Sequence, residues 1–186
     1  MNLRILKALL LNLLAGLQIG LLPARAQPAP TEYQLKAAFL YNFIKFVQWP
    51  ANTFATESAP ITIGVLGENP FGNNLEATVK GKSIDGHPLS IKYFSSAKDP
   101  AVKSCQVIFI CQSERKRMGE ILSALKGTRL LTVSETETFI DDGGMINFVM
   151  ENNKVRFEIN EVAIRHSGLC ISSKLLNLRK RKEGSP

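Results

Sequence analysis

The fold of this chain is decided by a run of six residues in its first half, Ile61-Thr62-Ile63-Gly64-Val65-Leu66. The run is apolar, rich in β-branched residues and one strand long. It shows no regular alternation with charged residues, which is typical of a strand buried on both faces. The loop Gly67–Gly72 and a short helical segment follow at once. A buried strand that leads directly into a helix is the repeating unit of an α/β sheet.

The same order of strands and helices continues along the chain. Val107–Ile110 is a second continuous apolar strand, and Met145–Met150 and Lys154–Ile159 flank the hairpin turn Glu151-Asn152-Asn153. The sequence therefore predicts the α/β class: a three-layer sandwich with a mostly parallel central sheet, helices on both faces and a C-terminal antiparallel hairpin. We expect residues 32–178 to form this structure as a single domain.

The N-terminus has the three parts of a cleaved secretory signal. Two basic side chains precede an apolar stretch over residues 8–22, and Ala24 and Ala26 are the small residues that a signal peptidase reads. We expect cleavage after Ala26, a short leader over residues 27–31 and a mature protein in the periplasm. An uncleaved N-terminal anchor is the alternative. A periplasmic location excludes functions that need cytoplasmic ATP, NAD or nucleic acid.

The formal net charge of +7 overstates the basic character of the folded part. Much of the positive charge lies in the signal segment and in the basic tail over residues 179–186, which we expect to be flexible and solvated. Contact of the tail with anionic lipid or an acidic partner is the alternative. A nucleic-acid-binding surface needs a basic stripe on the body of the domain, so we expect no nucleic-acid partner.

An aromatic helix opens the predicted domain. It is expected from Glu32 to Trp49, capped by Thr31 and stopped by Pro50. A surface helix needs an apolar arc of roughly 100°, whereas this helix is apolar over a wider arc. It therefore either packs deep in the domain or meets a second subunit or a partner. The candidates for such a surface are Phe39, Tyr41, Phe43, Phe46, Trp49 and the nearby Phe54.

Few residues point to bound ligands or catalysis. The loop after the first buried strand lies at the carboxyl end of that strand, where sites form in α/β sheets. It matches neither the dinucleotide fingerprint nor the Walker loop. The two histidines have no neighbours at metal-ligand spacing, and no nucleophile–base set is visible, so we expect no enzyme, no cofactor and no metal. The candidate ligand residues are Gly67, Glu68, Asn69, Phe71 and Gly72.

Three cysteines, Cys105, Cys111 and Cys170, are candidates for redox chemistry in an oxidising compartment. Cys105 and Cys111 flank a strand that spans about 20 Å. A disulfide tolerates a Cα separation of only about 7 Å, so these two are not expected to pair with each other. Cys170 paired with either of them is one possibility, and buried thiols that act as small apolar residues are the other.

Several segments, taken in order, resemble the YfiR-like periplasmic proteins. The resemblance spans roughly Tyr33 to Leu178. The segments that carry it are Lys36–Pro50, Ile63–Gly67 with Pro70–Gly72, Gly143–Phe148, Val155–Asn160 and Gly168–Leu176.

The resemblance implies a regulatory protein. The best-understood members bind the sensor domain of an inner-membrane diguanylate cyclase and repress it, which lowers cyclic-di-GMP and restrains biofilm formation. An outer-membrane peptidoglycan-associated lipoprotein can sequester such a repressor, dimers are typical, and disulfides couple some members to the redox state of the periplasm. The alternative interpretation is a periplasmic small-molecule-binding module that uses the loop Gly67–Gly72. An enzyme without a visible catalytic set ranks last.

Overall fold

A computed structural model describes residues 29–179 of the 186-residue chain. The predictions for the signal segment, with Ala24 and Ala26 at its cleavage site, and for the tail beyond residue 179 fall outside the described residues. Within that range the elements are α1 (Glu32–Phe46), β1 (Val47–Gln48), β2 (Ile61–Leu66), α2 (Asn74–Val79), β3 (Ser83–Ile84), β4 (His87–Phe94), β5 (Val107–Ile110), α3 (Met118–Leu125), β6 (Leu131–Ser134), β7 (Ile146–Glu151), β8 (Lys154–Ile159), α4 (Glu161–His166), β9 (Cys170–Ile171) and α5 (Ser173–Leu176). Short 3₁₀ turns lie at Ala51–Thr53, Pro100–Ser104 and Gln112–Arg117.

The described strands confirm the predicted α/β class. Seven of them form one sheet in the order β3-β4-β2-β5-β6-β7-β8. In this order, the neighbouring strands β4, β2, β5, β6 and β7 are parallel. At the two edges, β3 pairs antiparallel with β4, and β8 pairs antiparallel with β7. Strands β1 and β9 form a separate antiparallel pair. Parallel neighbours need crossover connections, and these connections place helices on the faces of the sheet.

Both faces of the sheet are covered, as the central strand β5 shows. Val107 and Phe109 pack in the larger core with α1 and α2, whereas Ile108 and Ile110 pack in the smaller core with α3. All four side chains are fully buried. Successive side chains of a strand point to opposite faces, so a strand between two cores must be apolar at every position.

The helix α1 begins where the sequence predicts and ends earlier. Thr31 and Gln34 form a reciprocal capping box at its start. The helix was expected to reach Trp49, but it ends at Phe46, because Val47 and the residue after it pair with β9. The Ser172 amide also donates to the Phe46 carbonyl oxygen at 2.9 Å. These hydrogen bonds come from the C-terminal part of the chain, and they replace the last helical turn with a strand.

The C-terminal hairpin is confirmed. Strands β7 and β8 pair antiparallel from the Ile146–Ile159 pair to the Glu151–Lys154 pair. Asn152 has φ of 49° and Asn153 has φ of 58°. Two consecutive residues with positive φ are the mark of a type I′ turn, whose twist matches that of the strands it joins. Asparagine tolerates this backbone conformation better than most residues, which is why the sequence predicts the turn correctly.

Candidate functional site

The strand order reverses between β2 and β5. From β2 the chain crosses to β4 through α2, which packs in the larger core, and from β5 it crosses to β6 through α3, which packs in the smaller core. The loops that follow β2 and β5 therefore leave toward opposite faces of the sheet. Such a switch point opens a crevice at the carboxyl ends of the strands, and ligands of α/β proteins commonly bind there. The predicted loop Gly67–Gly72 forms one wall of this crevice.

A cleft of about 370 Å³ occupies the switch point. We call it the switch-point cleft. Side chains reach it from α1, from the loops after β2 and β5, and from the residue that follows β6. It is lined by Tyr33, Glu68, Asn69, Pro70, Gln112, Ser113, Arg115 and Glu135.

The loop Gly67–Gly72 contributes side chains to the cleft rather than free backbone amides. The Gly67 amide donates to the Phe94 carbonyl oxygen at 2.9 Å, and the Glu68 amide donates to Ser113 Oγ at 3.0 Å. Asn69 folds back on its own loop, where its Oδ1 accepts from the Phe71 amide at 2.9 Å. An anion cradle needs unpaired amides, and these three are already paired.

The five candidate ligand residues of this loop have different surroundings. Glu68 and Asn69 line the cleft, whereas Phe71 is only 1% exposed and packs edge-to-face on Phe109, with ring centroids 4.8 Å apart. Gly72 is exposed. Gly67 has φ of +98°, and a Cβ atom there would lie 2.4 Å from Ser113 Oγ. Gly67 therefore allows the loops after β2 and β5 to approach each other.

A buried ion pair lies beside the cleft. Lys36 is 3% exposed although it carries a charge, and its Nζ lies 2.5 Å from Glu135 Oε2. The same Nζ donates to Glu32, one helical turn earlier. Tyr33 donates its hydroxyl proton to Glu135 Oε1 at 3.2 Å. The four residues thus form one hydrogen-bonded cluster, which fixes the Glu135 carboxylate at the cleft.

Sequence reasoning missed this cluster. Lys36 lies one turn before Leu40 and two turns before Phe43 and Ile44, so it occupies the apolar stripe of α1. A lysine in such a stripe needs a carboxylate partner, and that signal was present in the sequence. Its partner Glu135 is 99 residues away along the chain, so no local pattern identifies it.

Two groups in this region are held in their protonated forms. Burial raises the pKa of the Tyr33 hydroxyl to about 12, and the negative charge of Glu135 adds to the effect. Burial also raises the pKa of the Cys111 thiol to about 12, again with a contribution from Glu135. At neutral pH Tyr33 is a hydrogen-bond donor rather than a base, and Cys111 is a thiol rather than a nucleophilic thiolate.

The predicted aromatic surface on α1 divides into a buried part and an accessible part. Phe43 is fully buried, and half-buried Phe39 packs edge-to-face on Phe157 with ring centroids 5.5 Å apart. These two residues contribute to the core. Half-buried Tyr41 lies under the ammonium group of Lys82, which is 4.6 Å from the ring centroid. Tyr41 is thus accessible on the outer side of the helix.

A second group of aromatic residues lies just beyond the end of α1. Trp49 and Phe54 pack edge-to-face with ring centroids 6.5 Å apart, and the Phe54 ring stacks on His87 at 4.0 Å. Together with Phe46, these residues are half-buried against the larger core. The accessible candidates for a partner or dimer surface are therefore Tyr41, Phe46, Trp49 and Phe54. That role stays a prediction.

The three cysteines are free thiols in the described structure. Cys105 and Cys111 are buried near the two ends of β5, and Cys170 is exposed in β9. Among residues 29–179 no group of His, Cys, Asp or Glu is arranged to hold a metal ion. None of the helices in this range is long and apolar enough to cross a bilayer.

Comparison with known proteins identifies the family. The YfiR/HmsC-like family model matches residues 33–180, which is most of the chain. The chain belongs to the YfiR/HmsC-like family. Members of this family are periplasmic proteins that regulate diguanylate cyclases through their periplasmic domains, and they are regulatory rather than catalytic.

A solved structure supports the fold of this family member. The crystal structure of a conserved domain protein from Vibrio cholerae O1 biovar El Tor str. N16961 superposes with a TM-score of 0.56. The two sequences are 10% identical, and the match covers 80% of this chain and 59% of the Vibrio chain. At this identity the likeness concerns the fold alone. None of the curated proteins matches the chain.

Proposed function

We propose that this protein is a periplasmic repressor that binds the sensor domain of an inner-membrane diguanylate cyclase, lowers cyclic-di-GMP and restrains biofilm formation. The observation that carries the proposal is the family match over residues 33–180. We assign the protein no catalytic activity, because its family is regulatory rather than catalytic.

The proposed contact surface is the accessible aromatic group that contains Tyr41, Trp49 and Phe54. Tyrosine and tryptophan are enriched at the centres of protein interfaces, because they combine a large apolar area with a polar atom. Half-buried aromatic residues of this kind gain further apolar contact when a partner covers them.

The first experiment measures binding between the mature chain (Gln27 onward) and the purified periplasmic domain of a diguanylate cyclase from the same genome. We expect one-to-one binding, and we expect Tyr41→Glu to weaken it by about 2 kcal/mol, or roughly thirty-fold. The matched control is Tyr93→Glu, since Tyr93 is 48% exposed and belongs to β4 rather than to the proposed contact surface. Both variants are first compared with wild type by thermal unfolding.

Three outcomes separate the two parts of this proposal. Loss of binding in Tyr41→Glu alone supports both the partner and the surface. Equal binding by wild type and both variants supports the partner and rejects the surface. Absence of binding by wild type, under oxidising and under reducing conditions, rejects the cyclase as partner.

We also propose that this protein assembles with a second copy of itself and binds a lipoprotein. We expect a homodimer, which sedimentation of the mature chain tests directly. We further expect an outer-membrane peptidoglycan-associated lipoprotein to compete with the cyclase for this protein. A competition assay tests that expectation, and a lipoprotein that leaves cyclase binding unchanged contradicts it.

A second function, binding of a small molecule, is favoured by the switch-point cleft. Tyr33, Arg115 and Glu135 line this cleft at the position where α/β sheets form sites. A ligand that binds only the folded state raises the melting temperature. We expect such a rise with a periplasmic metabolite and its loss in Arg115→Gln, with Lys116→Gln as the control on the same 3₁₀ turn.

A further inference from the structure

A second cleft lies at the other end of the parallel strands, where these strands begin. Its volume is about 550 Å³, within the usual range for small-molecule sites. The walls come from the 3₁₀ turn Ala51–Thr53 with the loop that follows it, from the end of the turn Pro100–Ser104, and from the residues before β6. We call it the amino-end cleft.

The amino-end cleft is positively charged. Lys103 and Arg129 line it, and neither an aspartate nor a glutamate does so. Within residues 29–179 neither cation forms an ion pair. Arg129 donates from Nη1 to Asn52 Oδ1, which positions the guanidinium group and leaves its charge uncompensated. Two cations that line one cleft and form no ion pair within the described range favour an anionic ligand.

Neutral groups in the cleft are compatible with an anion. Thr53 lines the cleft, and its hydroxyl is buried without a hydrogen-bond partner within the described range. Burial raises the pKa of the Cys105 thiol to about 11. Cys105 is one of the residues that line the cleft, and at neutral pH its thiol carries no negative charge that would repel an anion.

The floor of the cleft is held rigidly by Gln106. Its Oε1 accepts from the Thr62 amide at 2.8 Å, and its Nε2 donates to the Ser104 carbonyl oxygen at 3.3 Å. Gln106 is 8% exposed, and its backbone bonds to both β2 and β6. A side chain that ties the starts of neighbouring strands together preorganises the floor of the cleft for a ligand.

One wall of the cleft is apolar and fits the carbon part of a ligand. Phe54 lies in this wall beside Ala55, Ala59 and Pro60. The Phe54 ring is fixed by its stacking on His87, whose Nδ1 is hydrogen-bonded to the Ala59 carbonyl oxygen at 2.7 Å. The cleft thus combines a cationic side with a fixed aromatic side.

We propose that the amino-end cleft binds a small organic phosphate, with Arg129 and Lys103 as its charge partners and Phe54 against its carbon skeleton. Arginine binds phosphate oxygens in a two-pronged geometry, and lysine adds a point charge. The phosphate belongs either to a soluble metabolite or to a lipid headgroup. This site shares Phe54 with the proposed aromatic surface and is separate from the switch-point cleft. Its test uses phosphate probes alone, so it does not depend on the cyclase.

The test uses two probes with the mature chain: glycerol 3-phosphate in solution and vesicles of phosphatidylglycerol. Affinities are measured by calorimetry for the first and by co-sedimentation for the second. We expect Arg129→Gln and Lys103→Gln each to lower the affinity about ten-fold or more, since each removes a charge-assisted hydrogen bond. The matched control is Lys116→Gln, an exposed lysine outside the cleft.

The outcomes are distinguishable, because Lys103 and Arg129 are exposed and their replacement leaves the core intact. Binding of glycerol 3-phosphate that is lost in both cleft variants and kept in the control supports a soluble phosphate. Binding of vesicles alone, with the same pattern, supports a lipid headgroup. Equal binding by all the variants, or no binding of either probe by wild type, overturns the proposal.

Discussion

Lys36 carries its charge into the core of the molecule. Its side chain is 4% exposed and that of Glu135 is 7% exposed. Removing one partner of a buried ion pair leaves the other charge buried without compensation, which costs about 3–5 kcal/mol. We therefore expect Lys36→Ala to lower the free energy of unfolding by about 3 kcal/mol, as measured by urea denaturation.

The control for this prediction is Lys45→Ala on the same helix. Lys45 is exposed, so we expect its loss to cost less than about 0.5 kcal/mol. The double variant Lys36→Met with Glu135→Gln removes both charges and should recover most of the stability lost in Lys36→Ala. Equal costs for Lys36→Ala and Lys45→Ala would show that the ion pair contributes nothing.

The three cysteines should differ sharply in reactivity. The pKa of Cys105 is raised to about 11 and that of Cys111 to about 12, so their thiolates form only as the pH approaches those values. Cys170 is exposed. At about pH 8 we expect iodoacetamide to modify one thiol of the native protein and three of the urea-unfolded protein, as counted by mass spectrometry.

Cys170→Ser provides the check on this assignment. The native variant should take up no label during the time in which wild type takes up one. Fast labelling of a peptide that contains Cys111 would contradict the burial of that thiol.

At the scale of elements, sequence rules succeeded where the determining contacts are local. The capping box of Thr31 with Gln34 fixes the start of α1, and the two asparagines fix the turn of the β7–β8 hairpin. The predicted end of α1 was wrong because β9, which lies more than a hundred residues later in the chain, pairs with Val47. The switch-point cleft shows the same division. The position of the loop after β2 could be predicted from the order of elements, whereas Glu135, which follows β6, could not.

The two sides of α1 should respond differently to truncation. Phe43 is fully buried with its ring centroid 4.9 Å from that of Phe157, so Phe43→Ala should cost about 3–5 kcal/mol. Tyr41 is half-buried and makes cation–π contacts with Lys45 and Lys82, so Tyr41→Ala should cost about 1 kcal/mol. Both values come from urea denaturation. Similar losses for the two variants would contradict the assignment of a buried and an accessible side.

At the scale of the whole molecule, the parallel sheet separates two regions. The switch-point cleft lies at the carboxyl ends of the strands, and the amino-end cleft lies where the strands begin. A strand of six residues such as β2 spans about 20 Å from its amino end to its carboxyl end. Substitutions more than about 10 Å apart with no shared partners usually have additive effects on stability. We therefore expect substitutions at the two clefts to affect stability independently.

A double-variant cycle tests this independence. Tyr33→Phe removes the hydroxyl that donates to Glu135, and Gln106→Ala leaves the buried Thr62 amide without its acceptor, so each should cost about 1–3 kcal/mol. In the combined variant we expect the sum to within about 0.5 kcal/mol. Tyr33→Phe with Lys36→Met is the control, because both residues contact Glu135 and their effects should deviate from the sum by more than that. If the combined effect of Tyr33→Phe and Gln106→Ala deviated from the sum by that amount, the two ends of the strands would be coupled through the sheet.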